Sequence, residues 1–243
     1  SYRLAHAEAD SLPGLVIDKF ADTLLVEPHV AGWLHLGDML AVALRTLYPG
    51  AKVVFRADKN AEKKENVTFA RLEKKYPAPP HVDITENGIR YRVDFSTGHK
   101  TGFFLDQRDN RARVARLAKG RDVLDLCCYS GGFALSAWKG GAKHITAVDL
   151  DERAVAMAEA NAKLNGATNL NFLHGDAFAA TRDRAAGGRA YDLVILDPPK
   201  LASGQDDVEK ALRTYGDMNK AALAVVKPGG LFVTCSCSGA VPE

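Results

Sequence analysis

The sequence predicts an α/β protein in which a doubly wound parallel sheet follows a small α+β domain. Three observations predict this fold class. From residue 122 onward, apolar runs alternate with helical segments, as in parallel sheets whose strands are connected by helices. The runs are short and continuous, which is typical of strands covered on both faces. Upstream, the proline-rich stretch 76–81 predicts a domain edge, so we expect domains at 1–82 and 83–243.

The first domain is predicted to contain a hairpin, one helix and a further strand. β-Rich runs at 14–20 and 24–30 flank a short turn. Apolar residues at helical spacing predict a helix over Trp33–Leu47, which Pro49-Gly50 ends. The run 52–58 predicts the next strand.

The second domain carries the regular alternation. A strand at 89–95 and a helical stretch ending near Lys119 come first. The pattern then predicts strands at 122–128, 144–150, 171–176, 191–197 and 231–235. Helices are predicted at 132–141, 152–166 and 207–226, with a short helical segment after 176 and a turn at 227–230.

The composition is ordinary for a globular protein, with 47% hydrophobic and 26% charged residues among 243. No apolar run approaches the ~18 residues of a membrane-spanning helix, and the start lacks a signal-peptide pattern. We therefore expect a cytoplasmic protein without a membrane partner, whose four cysteines are thiols. The spacings Cys127-Cys128 and Cys235-x-Cys237 do not suit zinc, so no metal site is predicted.

Local charge is more informative than the net charge of +2. Between residues 52 and 75, eight basic residues stand against four acidic ones, and such an excess suits a phosphate backbone. Lys59, Lys63 and Lys64 are the candidate RNA-binding residues of this segment. A solvated surface without a ligand is an equally good interpretation.

Four successive predicted strands end in an aspartate, namely Asp125, Asp149, Asp176 and Asp197. Because ligands of such sheets bind at the carboxyl ends of the strands, all four should rim one crevice. Like charges about 4 Å apart repel by about 4 kcal/mol at an effective dielectric of about 20. The crevice should therefore reject a pyrophosphate and accept a ligand with cationic groups and hydroxyls. S-adenosylmethionine fits, with its ribose at Asp149 and its adenine at Asp176.

Several motifs together resemble the bacterial 23S ribosomal RNA cytosine-C5 methyltransferases, which have the class I S-adenosylmethionine-dependent, Rossmann-like fold. The motifs are DVLDLCCYSGGF, AVDLDERAV, GDAF, DLVILDPPK and TCSCSG, with KTGFFLDQRDNR upstream. The stretch EADSLPGLVIDKF resembles the start of that family's middle domain, so the likeness covers essentially the whole chain. The resemblance implies an RNA methyltransferase that forms 5-methylcytosine.

The resemblance also implies which residues hold the cofactor. The loop after the first strand would cradle the methionine and ribose, and the next two strand ends the ribose and adenine. Phe104, Gln107 and Arg111 would close over it, with core packing or an ion pair as the alternatives for this segment. The implied set is Phe104, Gln107, Arg111, Asp125, Cys127, Ser130, Gly131, Gly132, Asp149, Leu150, Asp176, Ala177, Asp197 and Pro198.

The family implies more chain than this sequence contains. Its members carry an RNA-binding PUA domain upstream and a further helix and two strands downstream. This sequence begins at Ser1 and stops just after the fifth strand. We therefore expect a chain truncated at both ends.

The stretch TCSCSG ends the last predicted strand with two cysteines. Carbon 5 of a pyrimidine becomes nucleophilic when a thiolate adds to carbon 6, so such an enzyme needs a cysteine in the crevice. Strand alternation does not separate Cys235 from Cys237, but the family pattern favours Cys235 as the nucleophile. Asp197 would hold or protonate the base, and Lys200 would meet a phosphate. A buried, unreactive thiol is the alternative for Cys235.

Other functions stay open at this point. An amino-methylating RNA enzyme of the same fold would orient an exocyclic nitrogen without a cysteine, and a non-catalytic RNA-binding module would keep only the fold. A nicotinamide oxidoreductase is disfavoured, because the loop at Gly131-Gly132 lacks the G-x-G-x-x-G pattern. The expected partner is ribosomal RNA, of the 23S type by the resemblance, and a homodimer is left open.

Overall fold

The structure is a computed structural model of the chain and describes residues 1–95, 102–188, 190–202 and 204–238. The chain divides into two compact units, Ser1–Arg108 and Asp109–Glu243. The domain boundary at residue 82 stays a prediction. Among the described residues, no helix combines the length and the apolar character that a membrane crossing requires.

The first unit has a four-stranded sheet and a separate two-stranded hairpin. Its elements are β1 (Tyr2–His6), β2 (Leu15–Phe20), β3 (Thr23–Pro28), α1 (Trp33–Leu47), β4 (Lys52–Phe55), α2 (Lys59–Glu65), α3 (Ala70–Lys75), β5 (His81–Glu86) and β6 (Ile89–Asp94). The sheet order is β1-β2-β3-β4, and β5 pairs with β6. The antiparallel pairing of β2 with β3 confirms the predicted hairpin, and α1 has the predicted bounds.

Parts of this unit differ from the sequence prediction. The strand predicted over 52–58 ends at Phe55, because Asp58 instead caps α2 by accepting hydrogen bonds from two backbone amides of its first turn. The proline-rich stretch predicted as a domain edge is anchored to β4, since the carbonyl of Tyr76 accepts the Phe55 N–H at 2.9 Å. It leads into β5, which the sequence prediction missed along with β1.

The second unit confirms the predicted parallel α/β architecture. Its elements are α4 (Arg108–Leu117, which begins at the last residue of the first unit), β7 (Asp122–Leu126), α5 (Gly132–Lys139), β8 (His144–Asp149), α6 (Glu152–Asn165), β9 (Leu170–His174), α7 (Ala177–Ala186), β10 (Tyr191–Leu196), α8 (Val208–Leu223) and β11 (Val226–Thr234). The strand order is β11-β10-β7-β8-β9, and every neighbouring pair is parallel. The sheet therefore reverses its direction of growth between β7 and β10.

The core of this unit lies on both faces of the sheet, because alternate strand residues point to opposite sides. One layer joins Val123 and Ile195 to Phe133 of α5. The other joins Leu124 and Leu196 to α7 and α8. Helices on both faces explain why the strand sequences are continuously apolar.

Strand bounds differ from prediction in several places. β8, β9 and β10 end one or two residues before the predicted positions, and the two largest differences are in β7 and β11. β7 stops at Leu126 rather than 128, because Cys127 adopts a positive φ of 62° that a strand does not accommodate. The turn predicted at 227–230 lies inside β11, as an irregularity in its pairing with β10. Gly229 there has a φ of +75°, so the glycine of this segment permits the local turn while the strand pairing resumes at Leu231.

Candidate active site

The candidate site is the carboxyl edge of the five-stranded sheet. Ligands of doubly wound sheets bind where the strand order reverses, which here is between β7 and β10. Backbone bonds continue the pairing past the strand ends. The Asp197 N–H donates to the Leu126 carbonyl at 3.2 Å, and the Cys235 N–H to the Leu196 carbonyl at 2.9 Å. Asp197 and Cys235 therefore follow neighbouring strands at the same edge.

Asp125 lies within β7, and its side chain is fully buried. Neither carboxylate oxygen has a hydrogen-bond partner among the residues that the structure describes. Burial and then the charge of Asp197 raise the pKa of this carboxyl well above its usual range; the nearby Ala134 amide opposes the rise, and the charge of Asp149 adds to it. A buried carboxylate costs free energy unless a partner satisfies it, so Asp125 suits a ligand that brings a positive charge or hydrogen-bond donors.

Asp149 differs from Asp125 because backbone amides fix both of its oxygens. One oxygen accepts the Tyr129 N–H at 2.7 Å and the other the Asp151 N–H at 2.9 Å. These bonds tie the loop after β7 to the turn after β8. Each carboxylate oxygen has more than one acceptor site, so Asp149 is oriented and still able to accept from hydroxyl groups.

All four predicted aspartates act on one thiol at this edge. Burial and then the charges of Asp149, Asp125, Asp197 and Asp176 raise the pKa of Cys127 to about 12. Asp176 also caps α7, where its carboxylate accepts a backbone N–H at 2.8 Å. The predicted acids therefore gather around Cys127, which stays a neutral thiol at ordinary pH.

The loop between β7 and α5 has left-handed backbone at alternate positions. The φ angle is +62° at Cys127, +47° at Tyr129 and +82° at Gly131, a region that costs residues other than glycine of order 1–3 kcal/mol. A Cβ on Gly131 would lie 3.1 Å from that of Ala158, so glycine is also needed for contact with α6. Such over-determined conformations are concentrated at ligand-binding loops.

Asn161 supports this loop and was missed by sequence reasoning. It is fully buried on α6, and its Nδ2 donates to the Ser130 carbonyl at 3.1 Å. The available signal was an amide side chain on the buried face of α6, between Ala158 and Ala162. A buried amide needs partners, and the backbone of a neighbouring loop is a common one.

The two cysteines of TCSCSG lie in different environments. Cys235 is half-buried and packs against the core layer that contains Cys128 and Phe133. Cys237 is exposed, and its thiol donates weakly to the Pro198 carbonyl with an S···O distance of 3.9 Å. Since β11 ends at Thr234, strand alternation does not extend to Cys237.

The segment predicted to close over the cofactor falls in both units. Phe104 and Gln107 belong to the first unit, at the two ends of a short 3-10 segment, and both are half-buried. Arg111 belongs to the second unit and is buried on α4. Its Cδ would lie 3.1 Å from a Cβ on Gly132, so Arg111 packs against the start of α5, beside the loop after β7.

The remaining predicted cofactor residues flank the aspartates. Leu150 is 69% exposed beyond Asp149, which is unusual for a leucine and leaves an apolar side chain free to cover a ligand. Ala177 begins α7 and is half-buried, and Pro198 is buried after Asp197.

The predicted RNA-binding lysines lie on the surface. Lys59, Lys63 and Lys64 are on α2 in the first unit, where Lys59 forms an ion pair with Glu62 at 2.9 Å. Lys200 is exposed in the second unit, after β10. Within the described chain, Glu27, His29 and Asp58 have possible metal-ligand atoms within 4.8 Å of one another. Glu27 already pairs with Arg56 at 3.0 Å, and the absence of a metal site stays a prediction.

The fold and its edge define a class of protein. A doubly wound sheet with an acid-lined carboxyl edge, an unsatisfied buried carboxylate and a glycine-bearing first loop fits a cationic, hydroxyl-bearing cofactor better than a dinucleotide. Residues 76–242 match the family described as S-adenosylmethionine-dependent methyltransferase. The chain belongs to this family, and the predicted cofactor, S-adenosylmethionine, is confirmed.

Relatives and solved structures agree with this family. The chain is 41% identical over 246 residues to "Ribosomal RNA large subunit methyltransferase I" of Aeromonas hydrophila, with 100% of this chain and 62% of the relative covered. The protein of the same name from Shewanella denitrificans is 41% identical over 242 residues, covering 98% and 61%. The chain thus spans less than two thirds of these curated relatives. The solved structure described as "SMU.776, a putative methyltransferase complexed with SAH" superposes with a TM-score of 0.79 at 29% identity, covering 96% of this chain and 60% of that one.

Proposed function

We propose that this chain is the catalytic part of an RNA methyltransferase that forms 5-methylcytosine in large-subunit ribosomal RNA, with Cys235 as nucleophile. The family supports methyl transfer from S-adenosylmethionine. The relatives named as ribosomal RNA large subunit methyltransferases, at about 41% identity, support the RNA. The choice of carbon 5 of cytosine depends on the site residues.

The buried carboxylate of Asp125 supports a cofactor site at the carboxyl edge of the sheet. Its two unsatisfied, buried oxygens suit the cationic methionine end, and Asp149, oriented by Tyr129 and Asp151, suits the ribose. When bound, the cofactor supplies an electrophilic methyl group. The residues around it would hold it; Arg111, beside Gly132, and the exposed Leu150 would exclude water from the loop and the ribose.

The observation that carries the proposal is the register of three strands. Asp125 on β7 pairs with Ile195 on β10, which pairs with Val233 on β11. Ile195 and Val233 belong to the same core layer, and Cys235 packs against that layer. Cys235 therefore lies on the sheet face to which Asp125 belongs, one strand spacing (about 4.8 Å) from the chain at Asp197.

This arrangement suits covalent catalysis on a pyrimidine. The Cys235 thiolate would add to carbon 6, and the carbon 5–carbon 6 π electrons would move toward carbon 4 and nitrogen 3. The enamine-like carbon 5 would then accept the methyl group that the cofactor supplies, and the pair of electrons from the broken sulfur–methyl bond would stay on the cofactor sulfur. A base then takes the carbon 5 proton, the ring double bond re-forms and the thiolate leaves. Asp197 would accept a hydrogen bond from the exocyclic amine as a carboxylate, or donate its proton to nitrogen 3 as a carboxylic acid, which stabilises the negative charge that develops there.

The target base has to leave its stack to reach this edge. Enzymes that modify bases act on single-stranded or flipped-out nucleotides, and sequence-specific RNA recognition favours loops. Lys200 is exposed and lies three residues after Asp197, and we infer that it meets the phosphate of such a nucleotide. The lysines of α2 would add sequence-independent affinity.

The test uses RNA that contains 5-fluorocytosine. Fluorine replaces the proton that the base must remove, so the covalent adduct persists and migrates as a larger species on a denaturing gel. With S-adenosylmethionine, the wild-type chain should form the adduct. The Cys235→Ala variant should form none and should lose methyl transfer by at least about 10³-fold, whereas Cys237→Ala should retain the adduct.

Calorimetric binding of S-adenosylhomocysteine to each variant serves as the folding control. Methylated RNA without an adduct would favour an amino-methylating enzyme of the same fold. Cofactor binding without adduct or methylation would favour a non-catalytic RNA-binding module. An adduct that depends on Cys237 instead of Cys235 would contradict the assignment of the nucleophile.

A further inference from the structure

Ser238 is the last residue that the structure describes, and it connects the segment after Cys235 with the segment after Asp197. Ser238 is only 3% exposed. Its Oγ accepts hydrogen bonds from the backbone N–H groups of Leu201 and Ala202, each at 3.1 Å. Its third neighbour is the hydroxyl of Tyr215 on α8, at 2.8 Å. One side-chain oxygen therefore connects the chain after Cys235, the chain after Asp197, and α8.

The direction of the third bond follows from the first two. A serine hydroxyl has two acceptor lone pairs and one proton. The amides of Leu201 and Ala202 use both lone pairs, so the proton of Ser238 is donated to the oxygen of Tyr215. The serine is then fully satisfied, and a substitution that removes its hydroxyl takes this partner from the part-buried Leu201 N–H and the buried Ala202 N–H, and a buried N–H without a partner is unfavourable.

Buried neighbours and a second contact surround this cluster. Tyr215 is 8% exposed and packs with Ala202 and Ala211. A second, weaker connection runs between the same two loops, from the Cys237 thiol to the Pro198 carbonyl. The segments that follow β10 and β11 are thus connected at two points, and the two strands that precede them are paired with each other.

We propose that Ser238 and Tyr215 are positioning residues that set the separation of Cys235 from Asp197. The proposal rests on the function proposed above. Carbon 6 and nitrogen 3 lie at opposite corners of the pyrimidine ring, so one ring has to meet the sulfur and the carboxylate together. A misplacement of about 1 Å between reacting groups costs about 10²-fold in rate. Fixing both loops to one hydroxyl limits that misplacement.

The experiment compares Ser238→Ala, Ser238→Thr and Tyr215→Phe with the wild-type chain. The adduct rate with 5-fluorocytosine RNA should fall 10- to 100-fold in Ser238→Ala and by a smaller factor in Tyr215→Phe. Ser238→Thr keeps a hydroxyl and should recover most of the rate. Affinity for S-adenosylhomocysteine should fall much less than the adduct rate, because most of the proposed cofactor residues belong to or follow β7, β8 and β9, whereas only Asp197 and Pro198 follow β10. Thr214→Ala, beside Tyr215 on α8, is the matched control.

Amide exchange of Leu201 and Ala202 provides an independent readout. In Ser238→Ala, both amides should exchange at least tenfold faster than in the wild-type chain. Unchanged exchange, an unchanged adduct rate, or equal losses of adduct rate and cofactor affinity would each overturn the positioning role. Failure of the proposed function can be distinguished from failure of the positioning role. In the first case the wild-type chain would form no adduct, while the exchange rates of the Leu201 and Ala202 amides would still show whether Ser238 holds them.

Discussion

Asp122 and Asp125 lie three residues apart on β7, and their carboxyl groups differ in their partners and in the direction of their pKa shifts. At the amino end, Asp122 contacts His144 at 2.9 Å and Lys227 at 3.6 Å. The pKa of Asp122 is lowered, and the hydrogen bond from His144 is the largest cause. At the carboxyl end, Asp125 has no partner for either oxygen within the described chain, and its pKa is raised.

The same contrast appears on β10. Asp192 at the amino end pairs with Lys227 at 2.9 Å and accepts the Asp122 N–H, whereas Asp197 at the carboxyl end adds charge to a crowded acidic edge. The amino edge therefore stabilises the fold. The carboxyl edge carries unfavourable electrostatics that a ligand would relieve, which is how perturbed groups at functional sites differ from structural ion pairs.

The largest expected effect separates the two ends of β10. Asp197→Asn should lower methyl transfer to RNA by about 10²–10⁴-fold, because it removes the group proposed to stabilise charge on the base. Asp192→Asn, the matched change at the other end, should leave turnover within about threefold. Single-turnover transfer of a labelled methyl group measures both. Equal losses in the two variants would remove the functional distinction between the edges.

A smaller effect is expected for Asp125→Asn. Affinity for S-adenosylmethionine should fall at least tenfold, about 1.4 kcal/mol, because the cofactor loses a carboxylate partner. The free energy of unfolding of the cofactor-free variant should equal or exceed that of the wild-type chain, by up to about 1–2 kcal/mol at neutral pH. Calorimetric titration and denaturant unfolding measure the two quantities. A variant that binds normally would show that Asp125 is only a tolerated buried acid.

The smallest effect is the pH dependence of stability. Folding lowers the pKa of Asp122, so its contribution is present above the pKa of the unfolded chain and is lost as the pH falls through the folded value. Asp122→Asn should therefore cost about 0.5–1 kcal/mol at pH 7 and converge with wild type in acid.

The contribution of Asp125 to stability should depend on pH in the opposite direction. Folding raises its pKa, so its contribution is complete below the unfolded value and is lost as the pH rises through the folded value. The advantage of Asp125→Asn over the wild-type chain should accordingly grow from acid to neutral pH in denaturant unfolding. Parallel pH profiles for the two variants would contradict the contrast between the two ends of β7.

The second unit was largely predictable from sequence because its pattern is local. Continuous apolar runs and helical periodicity predicted the strands and helices of the parallel sheet, and the topology followed from general rules. The strand-end acids could be grouped for the same reason. The pairing of β1 with β2 and the start of β5 were missed, because those strands are specified by partners in space rather than by a strong run of their own.

The membership of the site stays a prediction, and the sequence did not indicate how the residues assigned to it are packed and hydrogen-bonded. Nothing in the sequence distinguishes Asp125, which is buried without partners, from Asp149, which is held by two amides. Ser238 was read only as part of TCSCSG. Its three bonds join residues 23 to 37 positions away along the chain, so no local pattern could reveal them.

The order of the strands along the chain also determines the order in which the residues of the candidate site are synthesised. Asp122 of β7 bonds to Asp192 of β10, 70 residues later, and Cys235 arrives later still, after β11. During synthesis, a growing chain that has completed the first three strands of the sheet carries Asp125 and Asp149 but has no carboxylate at 197 and no thiol at 235. Under the proposed function, most of the proposed cofactor residues are therefore synthesised before the proposed nucleophile, and nascent chains of increasing length should acquire cofactor affinity before they form the adduct with 5-fluorocytosine RNA.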